Sequence, residues 1–498
     1  MKTMMKILTI STTGIGNMVL YMPVLKTLKE WYPDSKLTLL CGSSQAAKVV
    51  QGSPLTDEIW ILDKSKFLNC LKILLRARKK EFDMVCEKYP EAPRNIILKA
   101  DLLRRGITIT KPALEKLQDP YYEHNPYRLF QWHGKDHVEE FKLPCQFIMN
   151  DGSSVMLVMS PPEKDPYTLD LEDDEFWILS DGEKMTQVYF LTRPKYYDKR
   201  TRTGKLMQTI AAMGPMLLYF CPSGHCHYFN EGLQCRYCDM DYCTKLQMKM
   251  GREYYSRATP DDYYDVVYEA LKEKGRFRYS FVTGGSDPRN NFENEVSFTI
   301  DLVKAAKQAA KDVAGSRFPI FLIIAALEEE QFIRLKEAGV EGVGCYLEIW
   351  DKEKFKLQCP GKEKYVGYDR WIERTLKAVE IFGRGNVAAG WVPGIEMAPP
   401  PYGFENVDEA VNSALEGYKF YIQNGVVITG SSWQIMPGTY FYKIGAMPPP
   451  LEFYVKLDLG RHRLYQKYGG FKEGKGAIYA NFLYYQSPGT WSDYQRIL

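Results

Sequence analysis

The chain has 498 residues, 45% hydrophobic and 26% charged, the balance of a folded globular protein rather than a disordered or fibrous one; at about 150 residues per domain it has room for roughly three. Basic and acidic residues nearly cancel, 65 against 62, so charge gives no reason to expect a nucleic-acid or membrane-surface partner. The longest wholly apolar run, Phe318 to Leu327, falls far short of the ~20 residues that span a bilayer, and MKTMMKILTI lacks a signal peptide's apolar core and cleavage site, so a cytoplasmic protein is expected.

In chain order, KILTIS is a β-branched strand, TTGIGN a turn, MVLYMPVLKTLKEWY an amphipathic helix and KLTLLC a second strand, which together make a βαβ unit. The Gly14-x-Gly16 turn is either a phosphate-holding helix start or a bare tight turn. KILTISTTGIGNMVLYMPVLKTLKEWYPDSKLTLLCG, SPLTDEIWILDK and EFDMVCE resemble the start of the family-nine, heptosyltransferase-like glycosyltransferases over about the first 90 residues. That family has Asp where this chain has Asn17, and its sugar-nucleotide site lies in a second domain not found here. The resemblance implies a Rossmann-like segment, placed at residues 1–94.

Residues 95–205 read as a β-rich accessory subdomain. KADLLRRGITI is a helix running into a strand, and FWILS and QVYFL are strands beside the turn signals Asn150-Asp151-Gly152 and Asp181-Gly182. His124, His133 and His137 fall here, the latter two four apart around Gly134; surface histidines are expected rather than ligands.

From about residue 206 strands and helices alternate. MLLYF precedes a cysteine cluster and then a helix opened by Thr259-Pro260-Asp261-Asp262, with a hydroxyl cap, proline at the first position and acids in the first turn. RYSFVTGG, FPIFLIIAAL, GVGCYLEIW, NVAAGWVPGIE and VVITGSS follow as strands, with helical segments between them. Six strands with intervening helices predict an α/β fold with a parallel (β/α) barrel, complete or partial, over 206–445. Residues 446–498, starting from Met447-Pro448-Pro449-Pro450, read as a wrapping tail.

Eleven cysteines, an odd count without a signal segment, argue for metal or redox chemistry rather than disulfides. Five of them, Cys221, Cys226, Cys235, Cys238 and Cys243, crowd together after the first barrel strand, at the face where such barrels place chemistry. Cys235-x2-Cys238 is a chelating pair. A zinc site completed by Cys226 and Cys221 stays open on cysteines alone.

Cys226-x8-Cys235-Arg236-Tyr237-Cys238 resembles the cluster motif of the radical S-adenosylmethionine (SAM) superfamily, whose usual spacing is Cys-x3-Cys-x-aromatic-Cys. The resemblance implies a 4Fe–4S cluster on Cys226, Cys235 and Cys238, with Tyr237 against the adenine of SAM. The longer first gap leaves Cys221 and Cys243 as rival ligands. Thr283-Gly284-Gly285-Ser286 resembles the Gly-Gly-Glu motif that takes the methionine amino group, with Ser286 in place of Glu. LKEAGVEGVGCYLEIWDKEKFKLQCPGK resembles the biotin synthase and lipoyl synthase branch; there a carboxylate matching Glu348 bonds the SAM ribose, and Tyr346 lies on the same face. Gly394-Ile395-Glu396 resembles the adenine-packing motif of the fifth strand, and GSSWQIMPGTYF the proline-glycine-threonine turn of the sixth. Cys359, in the CPGK turn, is expected to be structural.

The resemblance implies reductive cleavage of SAM, a 5′-deoxyadenosyl radical that removes a substrate hydrogen, and a flavodoxin or ferredoxin reductant. Carbon-skeleton rearrangement or ring formation on a small molecule is the expected outcome. Sulfur insertion is the alternative, with a second iron–sulfur cluster as donor and Cys221, Cys243 and Cys345 available to hold it. Readings of other classes are a sugar-nucleotide glycosyltransferase and a zinc-stabilised binding protein. Substrate and oligomeric state are not legible.

Overall fold

The structure is a computed structural model, described here for residues 6–11, 15–33, 35–61, 81–118, 143–160, 164–214, 216–249, 258–314 and 318–469. The three histidines His124, His133 and His137, the turn residue Gly14 and residues 470–498 lie outside these. The chain divides into two compact units, Met1–Pro90 and Glu91–Leu498.

In the first unit, β1 (Lys6–Ser11), β2 (Lys36–Cys41) and β3 (Glu58–Ile61) form a parallel sheet in that order. The helix Ile15–Trp31 is the crossover between the first two strands. Met18 and Leu25 of that helix bury against Leu37, Leu39 and Cys41, so the expected βαβ unit is present.

The second unit opens with the helix Arg94–Arg105 and β4 (Ile107–Ile109). β4 joins β5 (Gln146–Met149), β6 (Ser154–Met156), β7 (Tyr167–Glu172), β8 (Glu175–Ser180) and β9 (Glu183–Tyr189) in a six-stranded sheet ordered 4-7-8-9-5-6. All pairs but β4–β7 are antiparallel. Asp181 and Gly182, at φ 50° and 82°, make the two-residue β8–β9 hairpin whose left-handed turn suits the twist of paired strands. The sequence signals that turn. It does not signal the β7–β8 hairpin, where Asp173 and Asp174 take the same positive φ.

The larger sheet runs β10 (Ala211–Met213), β11 (Leu217–Phe220), β12 (Tyr279–Val282), β13 (Ile320–Ile323), β14 (Gly342–Gly344), β15 (Val387–Trp391) and β16 (Val427–Gly430) in chain order. β11 to β16 are parallel throughout, as their alternation with helices requires. β10 pairs antiparallel with β11, an edge strand too short to stand out in the sequence. The barrel is open, because β10 and β16 are the two ends of the strand order. Its strands are buried almost throughout, which explains their continuous apolar runs. The expected helix start at Thr259 is a full capping box with Asp262. Residues expected as a wrapping tail include an eighteen-residue helix, Leu451–Tyr468, whose Leu415-facing Gly460 lies against the helix Val407–Gln423. Among the described residues no helix is long and apolar enough to cross a membrane.

Candidate active site

Parallel strands end on one face, so the loops after β11 to β16 gather there. The loop after β11 carries the cysteines, and its course is set by backbone bonds to other loops. Gly285 N donates to Ser223 O at 3.0 Å, and His227 N to Ser286 O at 2.9 Å. Arg236 N donates to Gln358 O at 2.9 Å, and Tyr440 N to Arg236 O at 3.1 Å. Loops of the first, second, fourth and sixth strands are thereby joined. Gly285 is needed at its position for space: a Cβ there would lie 2.2 Å from His225 O. The close backbone approach expected of Gly284-Gly285 is therefore made, in part, to the cysteine loop itself.

The long gap between Cys226 and Cys235 is filled by the 3-10 turn His227–Glu231, with Tyr228 buried. Cys226, Cys235 and Cys238 are free thiols. Burial pushes the Cys226 thiol up to about 11, against the backbone N–H groups of Ser286 and Tyr228. Burial likewise raises Cys238, with further contributions from Asp239 and Cys235. Cys235 is held down, first by a hydrogen bond with Cys359 and, against burial, by the Lys362 ammonium. Each of the three thiols thus sits within electrostatic reach of another. Among the described residues no three His, Cys, Asp or Glu side chains already converge as a metal-ligand set. The donor chemistry nevertheless fits an iron–sulfur cluster: three soft, half-buried thiols on one loop, without a disulfide.

Cys221 and Cys243, the rival ligands, and Cys345, named for an auxiliary cluster, each make a local sulfur contact. Cys221 donates to Ser223 O at 3.4 Å and is pushed up to about 12 by burial. Cys243 is buried on the helix Met240–Lys249 and meets Asp239 Oδ2 at 3.4 Å. Cys345 is wholly buried, 3.9 Å from Ala325 O.

The second group lies past β14. Glu348 is buried and left-handed, at φ 78°, and its N–H bonds Gly390 O of β15 at 2.9 Å. Its Oε1 receives Lys362 Nζ at 2.5 Å, and the same ammonium reaches Tyr346 O at 2.6 Å. Burial opposes the charge on Lys362, but Glu348, Cys235 and Cys359 outweigh it and raise the lysine. The Tyr346 ring lies over Gly390, where a Cβ would come within 2.1 Å of it. Tyr237 OH is 3.9 Å from Cys359 Sγ. Cys359, expected to be structural, is fully buried beside Tyr237.

Gly394 and Ile395 are placed differently. Gly394 is at φ 115°, and a Cβ on it would lie 2.7 Å from Tyr454 OH of the C-terminal helix. Ile395 is fully buried, its carbonyl accepting Gln358 Nε2 at 3.0 Å.

Thr283, Gly284, Gly285 and Ser286 line a cavity of about 250 Å³ together with His225, His227, Asn230 and Glu295. Tyr237, Tyr346, Glu348, Gly394 and Ile395 are not among its lining residues. Sequence reasoning missed Lys362 and Glu295. Lys362 sits in the CPGK turn already singled out, and the need to pair Glu348 was the available clue. Glu295 reads as an ordinary acid in a helix's first turn, and no sequence signal separates it.

No family model matches the chain. A curated protein, the bacteriochlorophyllide c C-7(1)-hydroxylase of Chlorobaculum limnaeum, is 22% identical over 368 residues, 72% of this chain and 80% of that protein. Among solved structures, methylornithine synthase matches 50% of this chain and 63% of its own at 17% identity, TM-score 0.36. The FeFe-hydrogenase maturase HydG matches 51% of this chain and 50% of its own at 20% identity, TM-score 0.37. A radical SAM methyltransferase from Sphaerobacter thermophilus matches 60% and 75% at 13% identity, TM-score 0.33. The chain thus spans half to under two thirds of the first two solved structures. In its ordered motifs and its open parallel barrel, the chain is similar to the radical SAM enzymes.

Proposed function

We propose that the chain is a radical SAM enzyme acting on a small molecule, with a 4Fe–4S cluster on Cys226, Cys235 and Cys238. One observation carries this reading. The loop after the first parallel strand sets Cys226 beside Gly285, Cys235 within electrostatic reach of the Lys362–Glu348 pair, and Cys238 within reach of Cys235, all three half-buried. The cluster, when bound and reduced, supplies one-electron cleavage of SAM and hence removal of a substrate hydrogen.

The chain's own residues bind, orient and exclude water. Glu348, fixed by Lys362, offers a carboxylate to a hydroxyl-bearing ligand, and Tyr237 and Tyr346 offer aromatic surface near it. The second-strand glycines hold the cysteine loop in place. No side chain need act as general acid or base. Flavodoxin or ferredoxin is the proposed reductant. Carbon-skeleton rearrangement or ring formation is the proposed outcome, with sulfur insertion through an auxiliary cluster as the alternative. Hydroxylation, the activity in the curated relative's name, is a further reading, and product analysis separates the three.

The test is anaerobic purification with iron and sulfide analysis, followed by SAM and dithionite. About four irons per chain and 5′-deoxyadenosine formation are expected. Cys226→Ala, Cys235→Ala and Cys238→Ala should each abolish cluster binding. A colourless protein that leaves SAM intact overturns the reading, and a cluster that survives Cys226→Ala moves the first ligand to Cys221 or Cys243.

A further inference from the structure

A buried hydroxyl of the cysteine loop has no use in the fold around it. Tyr228 lies in the 3-10 turn His227–Glu231, inside the long gap between Cys226 and Cys235. The residue is 3% exposed, and among the described residues its OH is one of the buried polar atoms that meet no hydrogen-bond partner. Two contacts hold the ring. It stacks on Tyr365 with centroids 5.7 Å apart, and Gly361 comes so close that a Cβ there would lie 2.6 Å from Tyr228 Cγ. The backbone folds the gap back on itself, with Phe229 N donating to Cys226 O at 3.1 Å and Leu233 N to Tyr228 O at 2.8 Å. Tyr228 thereby stands within electrostatic reach of Cys226, Cys235 and Glu295. Glu295 does not accept the hydroxyl, and its Oε2 already receives the Asp287 N–H at 2.8 Å.

A phenol buried without a hydrogen bond loses its hydration and gains nothing in exchange, and Phe would fill the same ring site without that cost. An acceptor brought by the cluster explains the hydroxyl. We propose that Tyr228 is a positioning residue of the cluster site: its hydroxyl donates a hydrogen bond to a sulfur of the bound cluster, thiolate or inorganic sulfide, and raises the cluster's reduction potential. The inference rests on the proposed function. Thiolate and sulfide sulfurs carry no proton and need donors, and the phenol supplies one from a ring that its neighbours hold in place. Hydrogen bonds to the sulfurs are among the factors that set the potential of such a cluster, because they stabilise the negative charge that the incoming electron adds. A gap of three residues cannot contain the five-residue turn His227–Glu231. The eight residues between Cys226 and Cys235 then have a task, which is to bring a donor back to the thiols they separate.

Tyr228→Phe removes the oxygen and keeps the ring, so it tests the hydroxyl alone. Native and variant protein, reconstituted anaerobically, should both hold about four irons per chain. Redox titration followed by electron paramagnetic resonance should show a reduced-to-oxidised ratio at least tenfold lower in the variant at a given potential, a midpoint about 59 mV lower for one electron. Electron–nuclear double resonance should find an exchangeable hydroxyl proton coupled to the reduced native cluster and missing from the variant. p-Aminophenylalanine at position 228 keeps a donor and should bring the ratio back towards the native value. Equal midpoints, or unchanged proton couplings, in native and variant protein overturn the inference and leave the proposed function standing. A native protein that takes up no iron overturns both. Should Tyr228→Phe itself take up no iron, 3-fluorotyrosine at position 228, a stronger donor on the same ring, replaces it. A midpoint above the native one is then expected, and an unchanged midpoint counts against the hydrogen bond.

Discussion

Lys362 Nζ lies 2.5 Å from Glu348 Oε1 and 2.6 Å from Tyr346 O, so one ammonium group fixes both the carboxylate and the backbone at the end of β14. Glu348 keeps a left-handed backbone, a conformation that costs a non-glycine residue about 1–3 kcal/mol and persists where the surroundings over-determine it. The pair supplies part of that determination.

Lys362→Met should therefore strand Glu348 in a buried place without its counter-charge. A loss of about 3–5 kcal/mol is expected, read from denaturant midpoints. Adding Glu348→Leu should restore much of it, because the double change removes the orphaned charge. A double variant as unstable as the single would show that Lys362 acts by packing.

Gly285→Ala places a Cβ 2.2 Å from His225 O, and backbone on both sides leaves nothing flexible to yield. The expected cost is about 1–3 kcal/mol, with iron content after anaerobic reconstitution well below that of the native protein while the far-ultraviolet circular dichroism is kept. Native iron content in the variant would show that the loops separate without consequence.

Glu396 is completely buried, and burial lifts its carboxyl from the ordinary 4.5 to about 8, against the hydrogen bond from Gly394 N. The folded state then holds a proton that the unfolded state releases above its own lower pKa. Stability contributed by this group is present in acid and declines as pH rises from about 4.5 to about 8. Glu396→Gln should flatten that decline, so the variant gains on the native protein by a few kcal/mol at most between pH 5.5 and 8.5. Urea midpoints at the two pH values measure it, and parallel profiles would refute the assignment.

Gly394→Ala meets two penalties, φ at 115° and a Cβ 2.7 Å from Tyr454 OH. A loss of more than about 1 kcal/mol is expected, relieved in part by Tyr454→Phe, which removes the atom in the way. Equal losses with and without Tyr454→Phe would assign the whole cost to the backbone.

The barrel was legible because its strands alternate with well-capped helices. Thr259-Pro260-Asp261-Asp262 announces one helix start, and the apolar run around β13 announces a strand covered on both faces. β10 was not legible, since three residues carry no period. The cysteine loop was legible from composition alone, as thiols are rarely crowded without cause. What joins them was not: Gly285 against His225 O, or Arg236 against Gln358 O, are backbone encounters that leave no trace in residue type. Lys362 and Glu295 stayed hidden for a related reason. A charged residue in a turn or a first helical turn has an ordinary surface explanation, and only tertiary burial removes it.

The Tyr440 N to Arg236 O bond has a consequence for synthesis. A ribosome adding 5–20 residues per second takes roughly 10–40 s to pass from one partner to the other. Throughout that interval the nascent cysteines have emerged while the strap that finishes their loop has not. Iron delivered then for the proposed cluster would meet a half-built cradle, so the proposed function places loading of the metal after the chain has been translated beyond its sixth barrel strand.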